Sequence, residues 1–438
     1  DHLLEVQRKY PPHIKRIGLA LFPYLYELSY FNHNKAPLLK KYAQFIVGLG
    51  LTCQRYIRPD CYKKKRRKRI KVGFISFMIN QLSSVFRDRS NIIKGLNREL
   101  FDVTVCSVPF KYRTEMERNV ITAFNKDIEN YKILNVTDIE QLKELDFDIV
   151  VYPDIGMTGN SIMVAYNRLA PVQINTWGHS VTSGIPTIDY YFSSKYFELE
   201  DLEEAKKHYS EKLVAMDSLC TCYPHFEYEK YESRDSLDLP TDDRKIIFCL
   251  QNPRKINETF MNTLYKIYKE YPRCLILLLK GIQMEDDLIS NYLNKKCLDE
   301  NFVKAIRLVN YTSLTTYNSY MHHSDLVLDP YPFGGCNSSL EAFSKGKIVI
   351  TRPADYLSGR FTLGFYKKMG LISGGPIVTN EEDYIKQTLL YLRDDEERAK
   401  LGEFIKERSK VLYNEAASVH EWETTLQKLA APYVKIVK

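Results

Sequence analysis

Residues 325–346 read DLVLDPYPFGGCNSSLEAFSKG. A short apolar run at 325–330 has the character of a buried strand. A Pro/Gly turn ends it, and the pattern predicts a helix from about residue 337. In an open α/β sheet, ligands bind beyond the carboxyl ends of the strands, where loops run into helix N-termini. Gly334 and Gly335 let the backbone approach such a ligand closely. The amides at the helix start, from Cys336 to Ser339, suit phosphate oxygens, and Asn337, Ser338 and Ser339 add polar side chains. Glu341, one turn in, is placed for ribose hydroxyls. A plain capped helix after a turn would read the same way, so the rest of the chain has to bear on the choice.

Working outward, strands and helices alternate on both sides. The second half reads as strands at 245–251, 274–280, 305–310 and 347–353, with helices over 257–270 and near 313–323. The first half reads as strands at 70–76, 101–108, 147–156, 172–177, 188–194 and 212–216, with a helix over 161–169. Alternation at that pitch predicts doubly wound parallel sheets, hence two Rossmann-like halves. Residues 1–60 read as a few short helices, and no 34-residue repeat is visible. The charged tail from 381 onward reads as helical, with Trp422 as a packing anchor.

Composition narrows the class. The 438 residues exceed one ordinary core, and 44% hydrophobic with 27% charged residues fits a globular enzyme-sized chain. No apolar run reaches the roughly 18–20 residues that a membrane span needs. Lysine and arginine exceed the acids by 62 − 55 = 7, and much of that excess is KKKRRKR at 63–69. This run reads as a solvated linker, with a nuclear signal or an anionic-surface contact as the alternatives. A general nucleic-acid field is not expected, whereas a local pocket for a nucleotide diphosphate is compatible with the balance. Nine scattered cysteines form neither a disulfide framework nor a zinc pattern, which points to a reducing, cytoplasmic compartment. The sequence opens at Asp1 rather than Met, which reads as a trimmed start.

Three further strand-end loops carry candidate chemistry. In QNPRKIN (251–257), Arg254 and Lys255 can neutralise a diphosphate. In NTWGHSVTSGIPTIDYYF (175–192), His179 can be an acid, a base or a structural donor. In YPDIGMTG (152–159), Asp154 lies just past a strand end, where it can be a base or a turn residue. DFD at 146–148 resembles a metal-binding pair but reads as strand-entering acids, so no metal site is expected. The GxGxxG fingerprint is absent after the first strand, which argues against a nicotinamide-dependent dehydrogenase.

VQINTWGHSVTSGIPTIDYYFSS (172–194) and DPYPFGGCNSSLEAFSKGKIVITRPADYLSGRFTLGFYKKMGL (329–371) resemble segments of the O-GlcNAc transferase and SPINDLY-type glycosyltransferases of family 41. They are also similar to the bacterial cytoplasmic N-glycosyltransferases. The likeness runs in order over about residues 70–425. It implies a GT-B fold, with two Rossmann-like domains facing across a cleft. The implied parts are a helical region and basic linker at 1–66, an acceptor-side domain at 67–240 and a nucleotide-sugar domain at 241–410. A helix at 411–438 would pack back on the first domain. By motif position, Lys255 would contact the diphosphate, Gly335, Cys336, Asn337, Ser338 and Ser339 would hold phosphate, and Glu341 would bind ribose. Arg360 would sit beside the cleft and Asp154 would face acceptor or donor. The family's histidine after the first strand has no counterpart in FMINQLSSVFRDRS (77–90), where Ser83, Ser84, Arg87 and Arg89 stand instead.

The expected activity is therefore inverting, metal-independent and cofactor-free transfer of a sugar from a nucleotide-sugar donor. A UDP-sugar such as UDP-GlcNAc or UDP-glucose is favoured, and the acceptor would be a hydroxyl or amide on a protein or glycan. His179 or Asp154 would serve the acceptor. The alternatives are a catalytically degenerate nucleotide-sugar-binding protein, a GDP-sugar-dependent O-fucosyl-type transferase, and a nucleic-acid scaffold acting through 63–69.

Overall fold

A computed structural model describes residues 26–48, 60–79, 83–107, 126, 130–133, 139–225, 230–280, 289, 292–293, 299–310 and 313–437. Most of the helical region expected at 1–60 lies outside the described residues. Within it, α1 spans Ala36–Gly48. There follow β1 (Lys65–Arg67), β2 (Ile70–Ser76), α2 (Ser84–Gly95), β3 (Phe101–Ser107), β4 (Asn130–Ile133), α3 (Ile139–Glu144), β5 (Ile149–Tyr152) and α4 (Gly159–Ala165). Next come β6 (Val172–Asn175), β7 (Tyr190–Ser194), α5 (Leu202–Lys206), β8 (Lys212–Met216), β9 (Lys245–Cys249), α6 (Glu258–Glu270) and β10 (Cys274–Leu279). The chain continues through α7 (Glu300–Ala305), β11 (Ile306–Val309), α8 (Leu314–His323), β12 (Leu326–Leu328), α9 (Asn337–Ser344), β13 (Val349–Ile350) and α10 (Phe361–Met369). It ends with α11 (Glu381–Arg393), α12 (Asp395–Arg408), α13 (Ala416–Ala430) and β14 (Val434–Ile436).

The chain divides into two compact units, one of 1–29, 33–224 and 414–438, the other of 30–32 and 225–413. The first holds a seven-stranded sheet ordered β4-β3-β2-β5-β6-β7-β8, the second a five-stranded sheet ordered β11-β10-β9-β12-β13. Every pairing is parallel. Parallel strands are covered on both faces, so they read as unbroken apolar runs. IVVY in β5 and CLILLL in β10 show this, with all four β5 residues and five of the six in β10 buried. Helices start at side-chain caps: Ser83 accepts from Phe86 N–H, Asn257 from Phe260 N–H and Asn380 from Asp383 N–H.

Strand order reverses between β2 and β5 in the first unit and between β9 and β12 in the second. At such a reversal the neighbouring loops diverge to opposite faces and leave a crevice at the strands' carboxyl ends. Asp154 follows β5 and Lys255 follows β9, while the Gly334–Gly335 turn follows β12.

Two expectations are corrected by the fold. Three of the seven residues in the basic run are not a linker: Lys65–Arg67 form β1, paired in parallel with Val434–Ile436 of β14. Lys65 and Arg67 pair with Asp146, and Arg67 also reaches Asp148 at 3.5 Å. The acids of the DFD segment thus neutralise the basic strand. The strand expected at 347–353 shortens to β13, because Lys347 N–H donates to the Ala342 carbonyl (3.0 Å) and Thr351 N–H to the Pro376 carbonyl (2.9 Å) instead of to a neighbouring strand. Trp422 is fully buried in the first unit. Its Nε1 donates to the Cys220 carbonyl at 3.2 Å, and its ring lies 4.9 Å from Phe192.

Candidate functional site

The loops after β9 and β12 build one network in the second unit. Asn252 caps a single 3-10 turn, Pro253–Lys255, by accepting from Arg254 N–H. That turn aims Lys255 back under the sheet end, where its Nζ donates to Gln251 Oε1 (3.0 Å) and the Gly334 carbonyl (2.7 Å). The ammonium also lies 4.6 Å over the Phe333 ring. Burial lowers its pKa to about 8, against the opposing pull of Asp329.

Gln251 also donates to Ser338 Oγ at 2.6 Å, which joins the lysine turn to the start of α9. Cys336 is the N-cap residue of α9 and makes no side-chain cap bond. The first amides of a helix have no acceptor within it, so the start of α9 presents the positive end of the helix dipole. Ser339 Oγ shares a hydrogen bond with Thr362 Oγ1 at 2.8 Å, which ties α9 to α10. A Cβ on Gly335 would lie 2.6 Å from both Ser338 Oγ and Ser339 Oγ, so this turn accepts only glycine without displacing them.

The sequence-expected residues Lys255, Gly335, Ser338 and Ser339 thus come together. Asn337 shares the same helix start, and Arg254 sits on the lysine turn with its side chain half-buried. Glu341 is buried one turn into α9, where its charge raises the pKa of Lys345 against burial, which brings that lysine to about 8. Arg360 is nearly buried and donates to the Ala354 carbonyl at 3.0 Å. Residue-by-residue reading missed Gln251, Asp329 and Thr362. Gln251 and Asp329 were visible only as the residues just past strands β9 and β12.

The first unit's crevice has a different character. Asp154 is fully buried, and its Oδ2 accepts from Phe77 N–H at 2.8 Å, which fastens the loop after β5 to the loop after β2. Its Oδ1 has no partner among the described residues, and burial raises the carboxyl pKa to about 7. His179 is buried, its ring stacked on Tyr26 at 5.2 Å, and burial lowers its pKa to about 4. Its Nε2 has no partner among the described residues. Gly156, at φ 95°, lets the ring lie against the backbone, since a Cβ there would stand 2.3 Å from Nδ1. The TSG triplet is fastened by Glu211, which accepts from Ser183 N–H at 2.8 Å and from the Thr182 and Ser183 hydroxyls.

In the segment where the resemblance would place a histidine, Arg87 and Arg89 are buried, Ser83 is partly buried and Ser84 is exposed. Ser83 caps α2, Arg87 donates to Tyr223 Oη at 3.4 Å, and Arg89 donates to the Cys220 carbonyl (3.1 Å) and Thr176 Oγ1 (2.7 Å). Arg89 also lies 4.2 Å over the Trp177 ring.

No family model matches the chain. Over 266 residues it is 21% identical to a UDP-glucose:protein N-beta-glucosyltransferase of Actinobacillus pleuropneumoniae, covering 60% of this chain and 41% of that protein. It is also 21% identical over 252 residues to a probable UDP-N-acetylglucosamine–peptide N-acetylglucosaminyltransferase SPINDLY of Arabidopsis thaliana, covering 56% of this chain and 26% of that one. The chain therefore spans well under half the length of these curated relatives. Among solved structures, a variant of the Thermobaculum terrenum O-GlcNAc transferase superposes with a TM-score of 0.74 at 18% identity, covering 98% of this chain and 79% of that one. Anabaena HepE in complex with UDP-glucose gives 0.53 at 11% identity, covering 82% and 100%. The two Rossmann-like units are those of the GT-B fold, and in sequence and fold this chain resembles the family 41 glycosyltransferases of the O-GlcNAc transferase and SPINDLY type.

Proposed function

We propose that the chain carries the catalytic part of an inverting glycosyltransferase that moves a sugar from a UDP-sugar to a hydroxyl or amide acceptor on a protein or glycan. The observation that carries this reading is the convergence of Lys255, the Gly334–Gly335 turn and the start of α9 at the second sheet's reversal point. A cation, helix-start amides and hydroxyls at one strand-end crevice form a cradle for an anion. In transfer, the acceptor attacks the anomeric carbon, the bond from that carbon to the diphosphate oxygen breaks, and the electron pair leaves with the diphosphate. Lys255 and the α9 dipole would stabilise that leaving charge, and preorganised charge of this kind is commonly the largest catalytic term. This reading assigns the leaving-group charge to protein groups and needs no metal ion.

For the acceptor proton, His179 offers a neutral imidazole whose buried Nε2 has no partner among the described residues. Asp154 is the weaker candidate because one oxygen already fastens Phe77. The relatives' names support a UDP-linked donor and a protein acceptor. A donor-binding protein without transfer is the second reading. The structural use of Arg87 and Arg89, where the family has a histidine, favours it.

Titration calorimetry with UDP tests the donor site. Lys255→Ala should weaken binding by about 1.5–3 kcal/mol, the range for a hydrogen bond to a charged group. An unchanged affinity would remove Lys255 from the site. Binding that survives EDTA fits the metal-free reading, and loss restored by magnesium or manganese defeats it. Transfer to peptide or glycan acceptors from UDP- and GDP-sugars then separates the enzyme from the binder.

A further inference from the structure

We infer that Asp329 is a positioning residue of the donor site, its carboxylate shaping the Gly334–Gly335 turn and supplying the negative charge against which the Lys255 ammonium is held. Asp329 directly follows β12 and is 2% exposed. Its Oδ1 accepts from Gly335 N–H and its Oδ2 from Thr351 Oγ1 at 2.9 Å. Its own backbone is clamped as well: its N–H donates to the Ile350 carbonyl at 2.9 Å, and its carbonyl accepts from Tyr384 Oη at 2.9 Å. A Cβ on Gly334 would stand 2.8 Å from Asp329 Oδ2, so the turn is folded directly over the carboxylate. With the turn seated there, the Gly334 carbonyl faces Lys255 and accepts from it at 2.7 Å.

The charge coupling rests on the same geometry: the turn whose Gly335 N–H is held by Asp329 Oδ1 is the one whose Gly334 carbonyl accepts from Lys255 at 2.7 Å. The groups recorded around the Lys255 ammonium are the neutral acceptors Gln251 Oε1 and Gly334 O, the Phe333 face, the thiols of Cys249 at the end of β9 and Cys336 at the α9 N-cap, and Asp329. Of these, Asp329 is the one carboxylate. Burial works against the ammonium and the Asp329 charge works for it. Burial raises the Asp329 carboxyl above the usual carboxylate range, and the bonds from Gly335 N–H and the Thr351 hydroxyl, with the Lys255 charge, pull it back toward the anion. Removing that anion must lower the affinity of Lys255 for its proton, so a phosphate ligand would lose its cation at a lower pH.

The test is Asp329→Asn, which keeps an oxygen for Gly335 N–H and removes the charge. This deepens the donor-site reading and rests on it only where UDP is the probe, so two readouts are used on the full chain. The first, without ligand, is the pH dependence of Lys255 acylation by acetic anhydride, read by mass spectrometry. The wild type should show a midpoint near 8, and Asp329→Asn a midpoint at least about one unit lower, a tenfold change in proton affinity. The second is UDP affinity between pH 7 and 9.5, above the range where a terminal phosphate titrates (about 6). Wild-type binding should weaken as pH rises through about 8, and the variant should be about threefold weaker at pH 7.5 and close to tenfold weaker at pH 9.

A residue with a purely structural role predicts a lower melting temperature with both pH profiles unmoved, and that result overturns the inference. Asp329→Glu keeps the charge, so its labelling midpoint should stay near 8 even if it melts earlier; a drop matching Asp329→Asn would also overturn it. If Asp329→Asn does not fold, the smaller neutral variant Asp329→Ser takes its place and is read by the same labelling criterion, a midpoint at least about one unit lower supporting the inference and an unmoved one overturning it. Failure of UDP to bind the wild type, with the labelling shift intact, would sink the donor reading and leave the aspartate–lysine coupling standing.

Discussion

Asp154 and Asp329 hold matching places, just past the later strand of the pair at which each sheet reverses, and both are buried. In the first unit the carboxylate fastens two loops together through Phe77 N–H, and the other recorded neighbours of its charge are Ser76 and the Met78 amide. In the second unit the carboxylate lies under a glycine turn with an ammonium close by. The same position thus yields a neutral-leaning clasp in one unit and one half of a charge pair in the other. The difference comes from the partner loop: the segment after β2 brings backbone amides, while the segment after β9 brings Lys255. In the proposed reading, anion binding belongs to the second crevice and proton handling to the first, because a buried group without a counter-charge is driven toward its neutral form.

Four experiments bear on that contrast, beginning with the largest effect. Trp422→Ala removes a buried aromatic from the first unit and should cost about 3–5 kcal/mol in chemical denaturation. UDP affinity measured below the unfolding transition should stay within about twofold; a large loss would mean that the two crevices are not separable in this way. Asp154→Ala leaves Phe77 N–H without its acceptor and should cost about 1–3 kcal/mol of stability, again with UDP affinity kept. If affinity falls instead, the clasp is part of the donor site and the comparison fails.

The third experiment reads the pH dependence of stability, where the two buried groups of the first crevice act in opposite directions. The Asp154 carboxyl is raised in the folded state to about 7. Its contribution is therefore full below the unfolded value of about 3.9 and is lost as pH rises through about 7. The His179 imidazole is lowered to about 4. Its contribution is full above the unfolded value of about 6.5 and is lost as pH falls toward 4. In the wild type these slopes oppose each other between about pH 4 and 6.5. Urea unfolding of Asp154→Asn should show stability rising across that window, and His179→Gln should show it falling; equal slopes in both would remove the buried-group assignment. The smallest effect is expected away from both crevices. Lys65→Met at the β1 ion pairs should change stability by no more than about 1 kcal/mol, and a larger loss would make the short β1–β14 sheet a third essential anchor.

Much of this was legible in the sequence, for identifiable reasons. The buried parallel strands announce themselves as apolar runs, and the phosphate-type turn is visible because glycines and small hydroxyl residues cluster at a strand end. Lys255, Ser338 and Ser339 were found because position past a strand is a property of the chain itself. Asp329 and Gln251 were not singled out, since their importance comes from what packs on them: a turn five residues on for the aspartate, a serine 87 positions away for the glutamine. The pairing of β1 with β14 was equally invisible. A run of seven basic residues carries no apolar signal, and the acids that neutralise it enter from residues 146 and 148.

The return of the chain to the first unit also sets an order of events during synthesis. The second unit is almost continuous in sequence, so a ribosome would have delivered all of it before α13 and β14 appear. The first sheet would meanwhile wait with Phe74 and Phe192 uncovered, because the indole that packs on both is residue 422. A chain that ends before that point should hold a finished second unit and a first sheet with that apolar surface exposed to chaperones. Released chains truncated on either side of Trp422 should therefore differ sharply in protease resistance of the first sheet.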